Sequence, residues 1–429
     1  MILIFRFCVV YFTLYALATQ IFGGVFLLPG FAIPALGTVW PMRDITFWFA
    51  EHLSGATPPL VYRGNSGDTL FHWVQMFWLL GVSLVATVVW SLLDRRAEAP
   101  GALYRWFRLF IRFGLAAQMF YYGMAKVVPT QFPPPSLVTL VEPVGNLSLA
   151  DMLWTFIGAS TAYQIFTGCA ELLAGMLLLT PRTTALGALI ALADMIQVFL
   201  LNMTYDFGLK QMSLHLILLS LFLLACPERS RGTSHITRLL NVLVFGRPAA
   251  ASDNAPLFTT ARANRRAIAA QVIFGVYLIG MFTSIALRSW YGPGGPGSPR
   301  SVLYGIWNVE EMAVDGAVRP AGSNDYDRQW RRVIFDAADA LVFQRTDDSF
   351  AHFGATINTQ TRTVALRKGT SRTWRAEFTY IRPADDQLIL AGEMDDRTVR
   401  VRLQLVPLDT FRLLNSRFRW VRPPDPFAG

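Results

Sequence analysis

Long unbroken apolar runs fill the first two thirds of the chain, and a shorter alternation of apolar and polar residues fills the last third. Runs long enough to span a bilayer, which takes roughly 20 residues, lie near 7–29, 70–93, 106–127, 162–180, 184–204, 209–226 and 267–288. The first has a second reading: Arg6, the run that follows and Ala16-Leu17-Ala18 also resemble a signal peptide with a small-residue cleavage site. Segments 44–53 and 149–157 mix aromatic and acidic residues and are too short to span, so the pattern predicts helices lying at the outer interface, with Trp48 and Trp154 at headgroup depth. The Gly/Pro-rich stretch from Gly292 to Gly297 breaks any helix and predicts a tether over 291–300. Beyond it the period becomes two. Segments 302–312, 330–336, 340–345, 355–358, 363–367, 374–381, 387–391, 398–406 and 410–420 read as short strands, clearest where Val399, Val401, Leu403 and Leu405 alternate with polar residues. Consecutive strands separated by turns predict an up-and-down barrel. The expected fold is therefore a membrane all-α helical bundle of about seven transmembrane helices, followed by a C-terminal all-β, barrel-like soluble domain. Its parts are two helices with an outer loop over 1–105, a core over 106–228, a basic loop over 229–266, a seventh span over 267–290, the tether, and the barrel over 301–429.

Composition agrees, because 53% of the residues are hydrophobic and 16% charged, where a soluble chain carries about a quarter charged. Residues 1–288 hold 19 Lys+Arg against 12 Asp+Glu, so the apolar part carries seven of the nine net positive charges. Arg95, Arg96 and Arg105, then Arg182, then Arg229, Arg231, Arg238, Arg247, Arg262, Arg265 and Arg266 fall in alternate loops, which makes that side the cytoplasm. The opposite loops carry only Arg43, Arg63 and Lys210, with prolines at 133–135. The excess of arginine is thus a matter of topology and not a nucleic-acid footprint, and the C-terminal domain is expected outside.

Cys8, Cys169 and Cys226 are unpaired in spacing, and His52, His72, His215, His235 and His352 are scattered, so neither dithiol chemistry nor a metal site is expected. The informative residues are ionisable ones inside apolar spans, where each costs a few kcal/mol and marks a candidate site. At about 1.5 Å per helical residue, Glu171, Asp194 and His215 reach one level, about 14–17 Å from the cytoplasmic ends of their spans. Arg112 lies lower, and Lys126, Asp206 and Lys210 crowd the outer mouth. Two readings stand side by side: a polar pocket for a proton-coupled or redox-active small molecule, or structural ion pairs, Arg112 with Glu171 and Lys210 with Asp206 or Asp194.

Residues 106–226 resemble the DoxX/DoxD-like membrane family. The resemblance rests on Arg112-Phe113-Gly114, on Tyr122-Gly123-Met124-Ala125-Lys126, on the run from Phe166 through Gly168, Cys169 and Glu171 to Gly175, on Arg182 with Gly187, and on Lys210 with His215. It implies a four-helix core in the bacterial cytoplasmic (inner) membrane, and some members are linked to quinone-coupled redox processes. Tyr304-Gly305-Ile306-Trp307 resembles the first strand of lipocalin-like barrels, with Arg417 or Arg419 available to stack on the tryptophan. The leading expectation is a membrane component of an envelope redox process in which the pocket around Glu171, Asp194 and His215 meets a quinone or similar amphiphile, with Lys126, Lys210 and Arg112 stabilising developing negative charge. The alternatives are a module that binds or transfers a lipid or other amphiphile, and a scaffold for protein partners at the membrane. Membrane lipids are expected partners in every case.

Overall fold

A computed structural model describes residues 2–55, 68–95, 101–226, 233–248, 256–319, 329–369, 374–415 and 420–421. Arg63, Arg96, Arg229 and Arg231 of the orienting loops, and Arg417 and Arg419, lie outside these residues. The chain divides into two compact units, Met1–Gln131 with Ala162–Arg288, and Phe132–Thr161 with Ser289–Gly429. In chain order the helices are α1 (Ile2–Ala18), α2 (Gln20–Val25), α3 (Met42–Ser54), α4 (Leu70–Leu93), α5 (Gly101–Val127), α6 (Leu137–Val141), α7 (Leu149–Gly158), α8 (Thr161–Leu178), α9 (Thr184–Thr204), α10 (Lys210–Ala225), α11 (His235–Leu243), α12 (Ala261–Tyr291) and α13 (Arg412–Asn415).

The first unit is helical. Among the described residues four helices, α4, α8, α9 and α12, are long and apolar enough to cross a membrane. Helix α5 is longer than most but carries Arg105, Arg108, Arg112 and Lys126; it lies innermost, with Leu115, Ala116, Ala117, Met119 and Phe120 completely buried. The expected first span over 7–29 is broken: α1 ends at Ala18, the Thr19 hydroxyl bonds back to the Tyr15 carbonyl at 2.8 Å, and α2 restarts at Gln20. Such back-bonding competes with the helix ladder and bends it. The interfacial segment 44–53 forms α3, whose Thr46 is buried and accepts from Trp78 Nε1 of α4 at 3.0 Å, while Trp48 faces outward.

The second unit is a closed barrel. Strands β1 (Gly305–Val314), β3 (Trp330–Phe335), β4 (Ala340–Arg345), β5 (Phe350–Asn358), β6 (Thr363–Arg367), β7 (Arg375–Ala384), β8 (Gln387–Met394) and β9 (Arg397–Leu405) pair antiparallel in sequence order, and β9 closes onto β1; the short β2 (Ala317–Val318) is a flap on β1. The expected alternation in β9 holds, with Val399, Val401 and Leu403 inside and Arg400 and Arg402 outside. The expectation of a strand over 410–420 is corrected. Residues Leu408–Thr410 form a 3-10 turn and Arg412–Asn415 form α13, because β9 already occupies the edge of β1 and leaves no place there for another strand. The interior is filled by its own side chains: Trp330 stacks on Phe343 at 3.7 Å, and Trp307, Phe335 and Phe378 are completely or almost completely buried. Trp307 lies on β1 as expected, and among the described residues Arg382 of β7 stands over its ring, 5.8 Å from the centroid.

Residues 132–161, expected as a loop with an interfacial helix, belong to the barrel unit. Leu137 of α6 closes a small apolar cluster with Ile306, Ile334 and Val342, and the buried Gln344 donates to the Val141 carbonyl at 3.3 Å. Trp154 of α7 packs on Phe132, centroids 4.5 Å apart, instead of standing alone at headgroup depth.

Candidate functional site

The charged residues of the bundle do not gather in one pocket. Their places follow from three helices packed through glycine. A Cβ on Gly123 of α5 would stand 2.9 Å from the Gly168 carbonyl oxygen of α8, one on Gly168 would stand 2.7 Å from the Gly123 oxygen, and one on Gly187 of α9 would stand 2.9 Å from the Ala174 oxygen of α8. Any side chain there would hold the backbones apart, so these glycines set the spacing. Within this seam Lys126 Nζ meets Glu171 Oε1 at 2.5 Å, with both residues buried. Asp194, on α9, interacts electrostatically with both. The second oxygen of each carboxylate, Glu171 Oε2 and Asp194 Oδ2, is buried and has no hydrogen-bond partner.

Arg112 does not pair with Glu171. Its guanidinium donates to the Leu178 and Leu179 carbonyls at 2.8 and 2.9 Å and to Gln271 Oε1 of α12 at 2.5 Å. It caps the C-terminus of α8, where the last carbonyls are otherwise orphaned and the helix dipole is negative. Arg112 and Lys126 are separated by 14 residues of α5, about 21 Å, so one carboxylate cannot serve both. Lys210 pairs with Asp206 at 2.7 Å, as one of the two readings had it, but on the surface: the Asp206 side chain is 85% exposed. The ammonium holds the Asp206 carboxyl below the usual carboxylate range.

His215 keeps other company. Its Nδ1 faces the Gln211 carbonyl at 2.7 Å, which can only accept, so Nδ1 carries the proton and Nε2 accepts from the Tyr11 hydroxyl at 2.7 Å. The Tyr15 ring stacks on the imidazole at 3.5 Å. Tyr15 in turn borders a cavity of about 80 Å³ whose lining includes Gln20, His72, Gln75, Gln211 and Met212. Gln211 is 5% exposed, and its Nε2 is buried without a partner. Gln20 donates to Gln118 Oε1 at 2.8 Å and to the Tyr122 hydroxyl at 2.9 Å, and the Tyr122 ring lies 5.9 Å from Lys126 Nζ. Hydroxyl and amide groups thus lead from the cavity to the Lys126–Glu171 pair.

No family model matches the chain. No solved structure matches it either. One curated relative, the uncharacterized protein YwoB of Bacillus subtilis (strain 168), is 39% identical over 123 residues, covering 29% of this chain and 75% of the relative. The chain belongs to the YwoB family.

Several site residues of this YwoB-family chain carry no local signal in sequence. Tyr11, Tyr15 and Gln20 read as ordinary members of an apolar run, and Gln271 as a stray polar residue in the last span. Asp68 sits in a loop, yet its carboxylate accepts from the backbone amides of Lys210 and Gln211 and caps α10. Among the described residues no cluster of three His, Cys, Asp or Glu groups could hold a metal.

Proposed function

We propose that this protein is an integral component of the bacterial cytoplasmic membrane whose bundle binds a quinone-class amphiphile as part of an envelope redox process, with the barrel outside the membrane. Outward-facing Phe77, Leu84, Val85, Val88 and Leu92 of α4 are exposed side chains that lipid would cover, and an apolar groove of about 770 Å³ lined by Phe49, Phe77, Trp78 and Val85 suits acyl chains. Seven crossings follow if α1, α5 and α10 join the four long apolar helices. The observation that carries the ligand reading is the polar cavity beside Tyr15, with the amide N–H of Gln211 unmatched. An unpaired buried donor costs about 1–3 kcal/mol, and a carbonyl oxygen of a ligand head would satisfy it. The DoxX-like pattern of residues 106–226 supports the redox assignment. The filled barrel interior gives the lipid-capture alternative no comparable support.

The test is native mass spectrometry with lipid extraction on gently purified wild type and Gln211→Leu. A quinone retained by the wild type and lost from the folded variant is the expected result. Wild type that carries no quinone, or a variant that keeps it, overturns the assignment.

A further inference from the structure

We infer that Glu171 and Asp194 together hold one exchangeable proton, with Lys126 as its fixed counter-charge. The reading is independent of what the cavity binds. With every group ionised, the site would carry two carboxylates and one ammonium, a net charge of −1, in the interior of the bundle, where the nearby Tyr122, Gln20 and Gln118 are all neutral. Isolated charge in such a medium costs several kcal/mol, so the site is expected to recruit one more positive charge. The groups that face it are few. Helix α5 presents Lys126 and Tyr122, α9 presents Asp194, and the next cation of α5, Arg112, is about 21 Å away along the helix and engaged with α8 carbonyls.

The second, independent observation is the pair of orphaned oxygens. Glu171 is 1% exposed, yet its Oε2 has no partner, and Asp194 Oδ2 is likewise buried and unmatched. Lys126 reaches only Oε1 of Glu171. A proton on the pair neutralises the excess charge and turns one of two unmatched acceptors into a donor. Gly123 and Gly168 bring the backbones of α5 and α8 together beside the stem of Lys126, which fixes the ammonium against Glu171. The Gln20–Tyr122 hydrogen bond lies on the polar approach from the cavity by which the proton can exchange.

The experiment is infrared difference spectroscopy of the full chain in liposomes, in sodium-free choline buffer at neutral pH, with exchange into heavy water. A protonated-carboxyl C=O band that shifts in heavy water is expected in the wild type. It should be lost in Glu171→Gln, and about doubled in Lys126→Gln, where two carboxyls must each be neutralised. If Glu171→Gln fails to fold, Asp194→Asn, at a partly exposed position, keeps the question open to a decision: it too should remove or shift the band. Absence of the band in the wild type overturns the proposal. So does a band that vanishes on adding sodium chloride while radioactive sodium is retained, because the recruited charge would then be a metal cation.

Discussion

Replacing Lys126 by Met tests the seam between α5, α8 and α9 most directly. The substitution keeps an unbranched apolar stem of similar length and removes only the charge, so packing against Gly168 is little altered. What remains is Glu171, 1% exposed, with both oxygens unmatched, and Asp194 without its nearest cation. Removing one partner of a buried ion pair costs about 3–5 kcal/mol, whereas replacing the pair by apolar groups is near neutral. The single variant should therefore lose about two to three and a half orders of magnitude in the folded-to-unfolded ratio, at about 1.4 kcal/mol per decade. Glu171→Leu alone removes the 2.5 Å partner of Lys126 but leaves Asp194 as a counter-charge, so it should cost less than Lys126→Met and more than the loss of an exposed pair. The double variant should recover at least half of either loss, and adding Asp194→Asn should recover most of the rest, since Asp194 also leans on Lys126. The assay is reversible unfolding in mixed micelles followed by tryptophan fluorescence. A single-variant cost below about 1 kcal/mol, the level of an exposed pair, or strictly additive losses in the double variant, would refute the argument.

Three further outcomes follow from other parts of the chain. Gly168→Leu should destabilise by about 1–3 kcal/mol or more through overpacking against the Gly123 carbonyl, while Gly81→Ala, where a Cβ meets nothing within 4 Å, should be neutral or stabilising in the same unfolding assay. Trp330→Ala should cost about 3–5 kcal/mol and open the barrel to proteolysis in the full chain, because its ring is buried and stacked on Phe343. Asp336 is held above the ordinary carboxylate value of 3.8 by burial, against the pull of the Leu137 N–H and Arg300. A raised folded-state value gives stability that is present in acid and lost as pH rises through it, so Asp336→Asn should stabilise the barrel unit at neutral pH and gain nothing below pH 4, measured by thermal unfolding at the two pH values.

The amino-acid pattern alone determined the broad plan, because burial leaves a local imprint. A helix that hides its backbone in an apolar bundle needs an apolar run, and a strand with one face inside a barrel needs alternation, so the apolar helices and the strands up to β9 were legible in kind, with bounds shifted by a few residues. Gly123, Gly168 and Gly187 are the points where backbones touch. Partners were a different matter. Rotation of a helix about its axis is not written in spacing, and the pairs that matter are far apart: Lys126 with Glu171 across 45 residues, Arg112 with Gln271 across 159, Tyr11 with His215 across 204. Only the packed bundle decided that Arg112 caps α8 and leaves Glu171 to Lys126. Likewise, Trp154 looked like a residue for a membrane surface, since an apolar side chain reads the same whether lipid or protein covers it. Packing on Phe132 decided that protein does, and the barrel, by pairing β9 with β1, ended the strand pattern before residue 410.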